Sequence, residues 1–304
     1  MIVPSINDEY RLKRLVPPDE RINMVLDTDT FNEVDDQFAI VYALKSSEKL
    51  DVKAIYAAPF LNKRSSSPAD GMEKSYNEIV KLLKLLDTSA NQFVYKGSAG
   101  FLQDYNNPYR SEAALDLVDR AMKSEQRPLY VVAIGAITNV ASAILIEPKI
   151  IERIVVVWLG GHSHFWPDTK EFNLRQDLLG SRLLLDCGVP LVQIPCLGAA
   201  SHLLTTIYEL EACIKGKSAV GDYLCQLVRN YSEDHTGWAK VIWDISTIAW
   251  LINSEWIPTS IVHSPVLTDQ ITWSVDRSRH LIRAAYFAYR NPIFKDLFKK
   301  IAGY

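Results

Sequence analysis

Short runs of consecutive apolar residues alternate along this chain with longer stretches in which apolar positions recur every three or four residues. The short runs fall at 23–26, 52–57, 92–95, 129–134, 154–159 and 190–195, and Val, Ile and Leu dominate most of them. Near-continuous runs of this kind fit strands covered on both faces of a parallel sheet. The longer stretches, 35–45, 70–86, 111–122, 139–146 and 174–187, carry the helical period. Strands separated by crossovers long enough to be helices predict an α/β chain with a mostly parallel open sheet flanked by helices. Beyond residue 201 the pattern turns helical, at 202–213, 221–230, 242–252 and 291–301. The polar stretches 62–70 (NKRSSSPAD) and 103–110 (QDYNNPYR) read as surface loops too short for domain linkers. With no internal repeat or low-complexity tract, the expectation is a single domain over 1–304, with 1–21 as an N-terminal extension.

In open α/β sheets, ligands bind beyond the carboxyl ends of the strands. There the first strand leads into Asp27-Thr28-Asp29, a later one into Gly135-Ala136-Ile137-Thr138-Asn139, and the next into Gly160-Gly161-His162. Polar and glycine-rich material at several strand ends marks this edge as the place to look for a site, although glycines there also serve as plain turn residues.

Composition narrows the options by exclusion. A chain of 304 residues buries about three quarters of the surface its unfolded form exposes, enough for a large core. Its 33 Lys and Arg against 36 Asp and Glu leave no basic excess for broad binding to nucleic acid or an anionic membrane. The four Cys have no paired spacing and read as reduced core thiols, with Cys196 alone placed at the active edge of a strand. No apolar run approaches the ~18 residues of a membrane span. The first residues, MIVPSINDEYRLKRLVPP, place charges and prolines where a signal peptide needs an apolar region, so a cytoplasmic enzyme is expected.

The charge balance hides a local concentration. Asp27, Asp29, Glu33, Asp35 and Asp36 fall within ten residues, and no Lys or Arg occurs from 22 through 44. A helix N-terminus accommodates Asp35 and Asp36, but Asp27 and Asp29 end the preceding strand. A divalent cation satisfies several carboxylates at once, and oxygen donors without His or Cys suit hard Ca²⁺ or Mg²⁺ over Zn²⁺. Phosphatases and mutases of the haloacid dehalogenase superfamily also place two aspartates one residue apart after the first strand, which would make Asp27 a nucleophile. Here Phe31 stands where that motif has Thr or Val, and the motif has no place for Asp35-Asp36.

The whole cluster resembles the N-terminal fingerprint of the inosine-uridine-type nucleoside hydrolases, Asp-x-Asp-Pro-Gly-x-Asp-Asp. It stands here as Asp27-Thr28-Asp29-Thr30-Phe31-Asn32-Glu33-Val34-Asp35-Asp36, without the Pro-Gly and two residues longer. Further blocks follow in the family's order: VVAIGAITNVASAI, VVVWLGG, EFNLRQD, CGVPLVQIP and WDIST, so the resemblance covers roughly 22–300. It implies a Ca²⁺-dependent hydrolase that cleaves the N-glycosidic bond of a ribonucleoside to free base and ribose. By the same resemblance Asp29, Asp36, Asp244 and the carbonyl of Thr138 would hold the ion, and Asp29 would deprotonate the attacking water. Asp35 would accept from the ribose 2′-hydroxyl, while Glu171, Asn173 and Asp244 would hold the remaining hydroxyls. Family members are commonly dimers or tetramers, so homo-oligomerisation is expected.

The leaving-group end departs from the family. Its best-known members carry a His before the last ligand Asp, and this chain has Trp243, which cannot deliver a proton. Trp243 would stack on the base or plug the pocket. His162, His164 and Trp166, after the Gly-Gly, are the candidates to supply what it lacks. A non-catalytic ribose or nucleoside binder on the same scaffold is the alternative that Trp243 keeps open.

Overall fold

The computed structural model describes residues 4–303 apart from residue 125. The first half consists of α1 (Asp8–Arg14), β1 (Ile22–Thr28), α2 (Asp35–Leu44), β2 (Leu50–Ala57), α3 (Pro68–Leu85), β3 (Val94–Lys96), α4 (Glu112–Lys123), β4 (Leu129–Ala133) and α5 (Thr138–Ile146). Then come β5 (Ile154–Leu159), α6 (Phe172–Gln176), α7 (Leu178–Asp186), β6 (Leu191–Ile194), β7 (Leu204–Thr205), α8 (Ile207–Cys213) and α9 (Ala219–Arg229). The chain ends with β8 (Lys240–Val241), α10 (Ile245–Ile252), β9 (Thr259–His263), β10 (Val266–Leu267), β11 (Trp273–Ser274), β12 (Leu281–Ala285) and α11 (Arg290–Ala302).

Eight strands form one sheet in the order β3-β2-β1-β4-β5-β6-β12-β9. All neighbours pair in parallel except β9, which runs antiparallel to β12 at the edge. Alternate side chains feed two cores. Met24, Leu26, Val155 and Val157 point to one face, and Val25, Val131, Val156 and Trp158 to the other. That two-sided burial is why these strands read as continuous apolar runs. The order reverses between β1 and β4, and connections leave to opposite faces there, which opens a crevice at the carboxyl ends of those strands. Helix α2, buried along nearly its whole length, packs against α10 and α11 on one face.

Four expectations need correction. The helix read over 174–187 is two helices, because Asp177 leaves helical geometry (φ −134°, ψ 86°) and caps α7 through Gly180 N–H at 2.7 Å. The helix read over 202–213 begins only at Ile207, because Leu204 and Thr205 pair with Val241 and Lys240 as β7 and β8. The helical C-terminal part also contains β9 and β12, which complete the main sheet. The polar loop 62–70 ends early: Ser67 accepts from Asp70 N–H and Pro68 opens α3, a favourable start because the first turn has no use for the missing N–H.

Candidate active site

A cleft of about 290 Å³ opens at the point where the strand order reverses, lined among others by Asp29, Asp35, Asp36, Glu171, Asn173 and Asp244. Asp29 follows β1 directly. Asp35 and Asp36 form the first turn of α2, where the partial positive charge of the helix end favours them. Asp244 is the residue before α10, yet its side chain makes no capping hydrogen bond and is left to the cluster. Residues more than two hundred positions apart thus meet because α10 packs on α2.

Carboxylate oxygens of Asp35, Asp36 and Asp244 lie within 4.8 Å of one another. Asp29 is not in that set but shares the cleft, and both of its oxygens are buried without a hydrogen-bond partner, as is Oδ1 of Asp35. Asp36 accepts from the Thr28 hydroxyl at 2.5 Å. Burial, followed by the charges of Asp36, Asp35 and Glu171, pushes Asp29 well above the usual carboxylate range. Asp244 is raised likewise, and Asp36 is pushed up to about 7 by burial and by Asp35. Buried bare carboxylates that repel one another cost several kcal/mol unless a positive charge joins them. An all-oxygen set of this kind fits a hard divalent cation.

The opposite wall is held by backbone donors. Glu171 accepts from Gly161 N–H at 3.0 Å, Asn173 N–H at 2.8 Å and Leu174 N–H at 2.9 Å. Asn173 donates through Nδ2 to the carbonyls of Ile134 (3.0 Å) and Leu159 (3.2 Å), which ties together the ends of β4 and β5 and leaves its Oδ1 for a ligand. The Gly-Gly turn is required here. A Cβ at Gly160 would overlap the Trp158 indole, and Gly161 has φ +72°.

The remaining predicted residues divide. Trp243 and His162 line the cleft. Trp243 is half-buried, with part of its surface packed on the core. His162 Nδ1 accepts from Leu197 N–H at 3.4 Å, and burial lowers its pKa. His164 lies outside the cleft, 2.8 Å from Gln193 Oε1 and edge-on to Trp273. Trp166 is 39% exposed and packs beside Phe165. Thr138 is fully buried, its hydroxyl 2.6 Å from Asp177, and is not among the lining residues. Asp27 points to the other face of the sheet, where it accepts from Asn139 Nδ2 at 2.7 Å, so the nucleophile of the phosphohydrolase alternative is walled off from the cleft.

The sequence pattern of the inosine-uridine preferring nucleoside hydrolases matches residues 24–286. The chain belongs to this family. Among curated nucleoside hydrolases, the pyrimidine-specific ribonucleoside hydrolase RihA of Escherichia coli O1:K1 is 25% identical over 253 residues, covering 74% of this chain and 78% of that protein. RihA of Shigella boydii serotype 4 matches to the same extent. Of solved nucleoside hydrolase structures, the plant enzyme PpNRh1 superposes with a TM-score of 0.75 at 18% identity, covering 93% of this chain and 99% of that one. The purine-preferring ribonucleoside hydrolase from Gardnerella vaginalis gives 0.74 at 19% identity, with 92% and 98% covered. At such identities these structures speak for the fold alone.

Within this nucleoside hydrolase cleft stand residues that the sequence reading passed over. Asn32, Lys170 and Leu197 line it, and Lys240 reaches Glu33 and Asp35 from β8. Cys196, read as a core thiol, lines the cleft against Glu171, and burial with the charges of Glu171 and Asp244 holds its thiol protonated. Its place at the end of β6 was the available signal. Lys240 offered none, since a lone Lys ahead of an apolar pair is commonly a surface residue.

Proposed function

We propose that the chain hydrolyses ribonucleosides to free base and ribose, with Ca²⁺ held by Asp29, Asp36 and Asp244 and with Asp29 as the general base. The observation that carries this reading is the group of buried, unpartnered carboxylate oxygens converging at the sheet's reversal point, opposite Glu171 and Asn173. The cation supplies, when bound, a lowered pKa for the attacking water and a template that fixes it. Asp29, whose oxygens have no other partner, takes the proton from that water. Asp35 accepts from the 2′-hydroxyl, and Glu171 with the Oδ1 of Asn173 holds the hydroxyls on the opposite wall. Acceptors immobilised by backbone hydrogen bonds discriminate against a sugar lacking a hydroxyl, because the missing contact leaves a buried polar group unpaired. The negative field of the cluster stabilises the cationic sugar that forms as the base departs.

On the leaving-group side Trp243 offers a stacking face and no proton. His162 is the one of the three loop candidates that lines the cleft. With Nδ1 accepting from Leu197 and burial disfavouring the charged form, neutral His162 carries its proton on Nε2 and offers that N–H as a hydrogen bond to the departing base. The curated relatives named above are pyrimidine-specific and the Gardnerella structure is of a purine-preferring enzyme, so the preferred base is set by experiment.

The test is to follow free base and ribose from a panel of purine and pyrimidine ribonucleosides with Ca²⁺ present. Turnover is expected to cease with a chelator and to fall at least about 10³-fold in Asp29→Ala and Asp36→Ala. Saturable nucleoside binding with no base release would instead mark a binder.

A further inference from the structure

Lys240 carries its charge in an unusual place. Its side chain is 7% exposed, it donates to Glu33, and its Nζ lies 3.7 Å from Asp35 Oδ1. The ring of Tyr231 sits 5.3 Å from the same nitrogen. An ion pair with Glu33 alone needs no burial, since Glu33 is 37% exposed. Seating the ammonium beside Asp35 costs desolvation and long-chain entropy. That cost places a positive charge against one of the three carboxylates whose oxygens lie within 4.8 Å of one another. The placement is rigid. Lys240 pairs with Thr205 in the β7–β8 ribbon, and the chain from β8 leads directly to Trp243 and Asp244. Lys240 thus straps the loop 30–34, two residues longer than the family fingerprint, to the segment that delivers Asp244.

We propose that Lys240 is a built-in counter-charge of the carboxylate cluster, a positioning residue that orients Asp35 and loosens the cluster's hold on a divalent cation. Asp35 is a fourth carboxylate beside the three that would hold the dication, and site affinity follows the charge the ligands bring. An ammonium next to Asp35 takes up part of that charge and repels the ion. It also gives Asp35 a fixed partner, so that this carboxylate stays available to a sugar hydroxyl instead of closing on the metal. The loop does not depend on Lys240 alone. Arg64 donates to the carbonyls of Asn32 (3.4 Å) and Glu33 (3.2 Å) and covers the Phe31 ring at 4.6 Å, so a neutral residue at 240 leaves the rim in place.

The inference rests on the cation site proposed above, and its test separates the two. Ca²⁺ affinity is measured by titration calorimetry on the full chain for the wild type, K240M, K240Q and K240R, with circular dichroism to confirm folding. K240M and K240Q are expected to bind Ca²⁺ about ten-fold more tightly, and K240R to bind as the wild type does. The preference for a ribonucleoside over its 2′-deoxy analogue, as a ratio of kcat/KM, is expected to narrow about ten-fold in K240M. Unchanged or weaker Ca²⁺ binding in both neutral variants overturns the role of Lys240 while leaving the cation site standing. A wild-type protein that binds no divalent cation overturns both.

Discussion

Trp243 and His162 face the same cleft with different chemical means. The indole brings a flat apolar face to a base, whereas the imidazole brings one N–H whose direction is set by the Leu197 contact at Nδ1. If His162 serves the departing base, its loss acts on the chemical step and spares ribose binding. His162→Phe is therefore expected to lower kcat about ten-fold while KM moves less than about two-fold, measured with a nucleoside whose base is a poor leaving group. Equal losses with good and poor leaving groups would remove His162 from this role. Asp29, Glu33, Asp35 and Asp36 were readable as a cluster in one stretch of chain, because a charge excess stands out locally. Neither the contact of His162 nor the burial of Lys240 was readable, because each depends on segments distant in sequence, Leu197 and the loop 30–34.

Between residues and whole fold, short capping elements decide where the site residues point. Asp177 interrupts what the apolar period reads as one helix, and its carboxylate bonds Thr138 Oγ1 at 2.6 Å, Leu102 N–H at 3.1 Å and Gly180 N–H at 2.7 Å. A side chain that satisfies three donors competes successfully with helix propagation, which periodicity cannot register. The break turns α6 into a separate short helix whose cap is Glu171. Asp177→Ala strips a cap and leaves buried donors unpaired, so it is expected to cost about 3 kcal/mol and several degrees of Tm. Activity at low temperature is expected to suffer less than stability, since Asp177 does not line the cleft. The β7–β8 pair is a similar case, since two residues a side carry too little pattern to be seen, yet they hold Lys240.

At the level of the molecule, the carboxylate cluster is expected to tie stability to both pH and cation. Asp29 and Asp244 are raised well above the ordinary carboxylate range, and Asp36 to about 7, with burial the leading cause in each. Groups raised by folding bind protons more readily in the native state. Their contribution to stability is complete below the unfolded carboxylate range near pH 4 and is lost as pH rises through their raised folded values, about 7 for Asp36. Without cation, Tm is expected to fall between pH 5 and pH 8 on this account. Because a cation binds the deprotonated form, saturating Ca²⁺ is expected to raise Tm strongly near pH 8 and little near pH 5. Scanning calorimetry at both pH values checks this, and a Ca²⁺ effect independent of pH would separate the ion from these carboxylates. Among the described residues, no helix is long and apolar enough to cross a membrane.

By itself the sequence determined the alternation of strands and helices, the family and the identity of most cleft residues. Those are properties of local composition, periodicity and ordered motifs. It did not determine the edge strand β9 or its neighbour β12, whose partly exposed residues lack the continuous apolar signature. Nor did it determine which of His162, His164 and Trp166 turns inward, or that a lysine closes on the acidic loop. Tertiary structure decided those points, because burial and charge pairing are set by residues that meet only after the sheet has brought distant strand ends together.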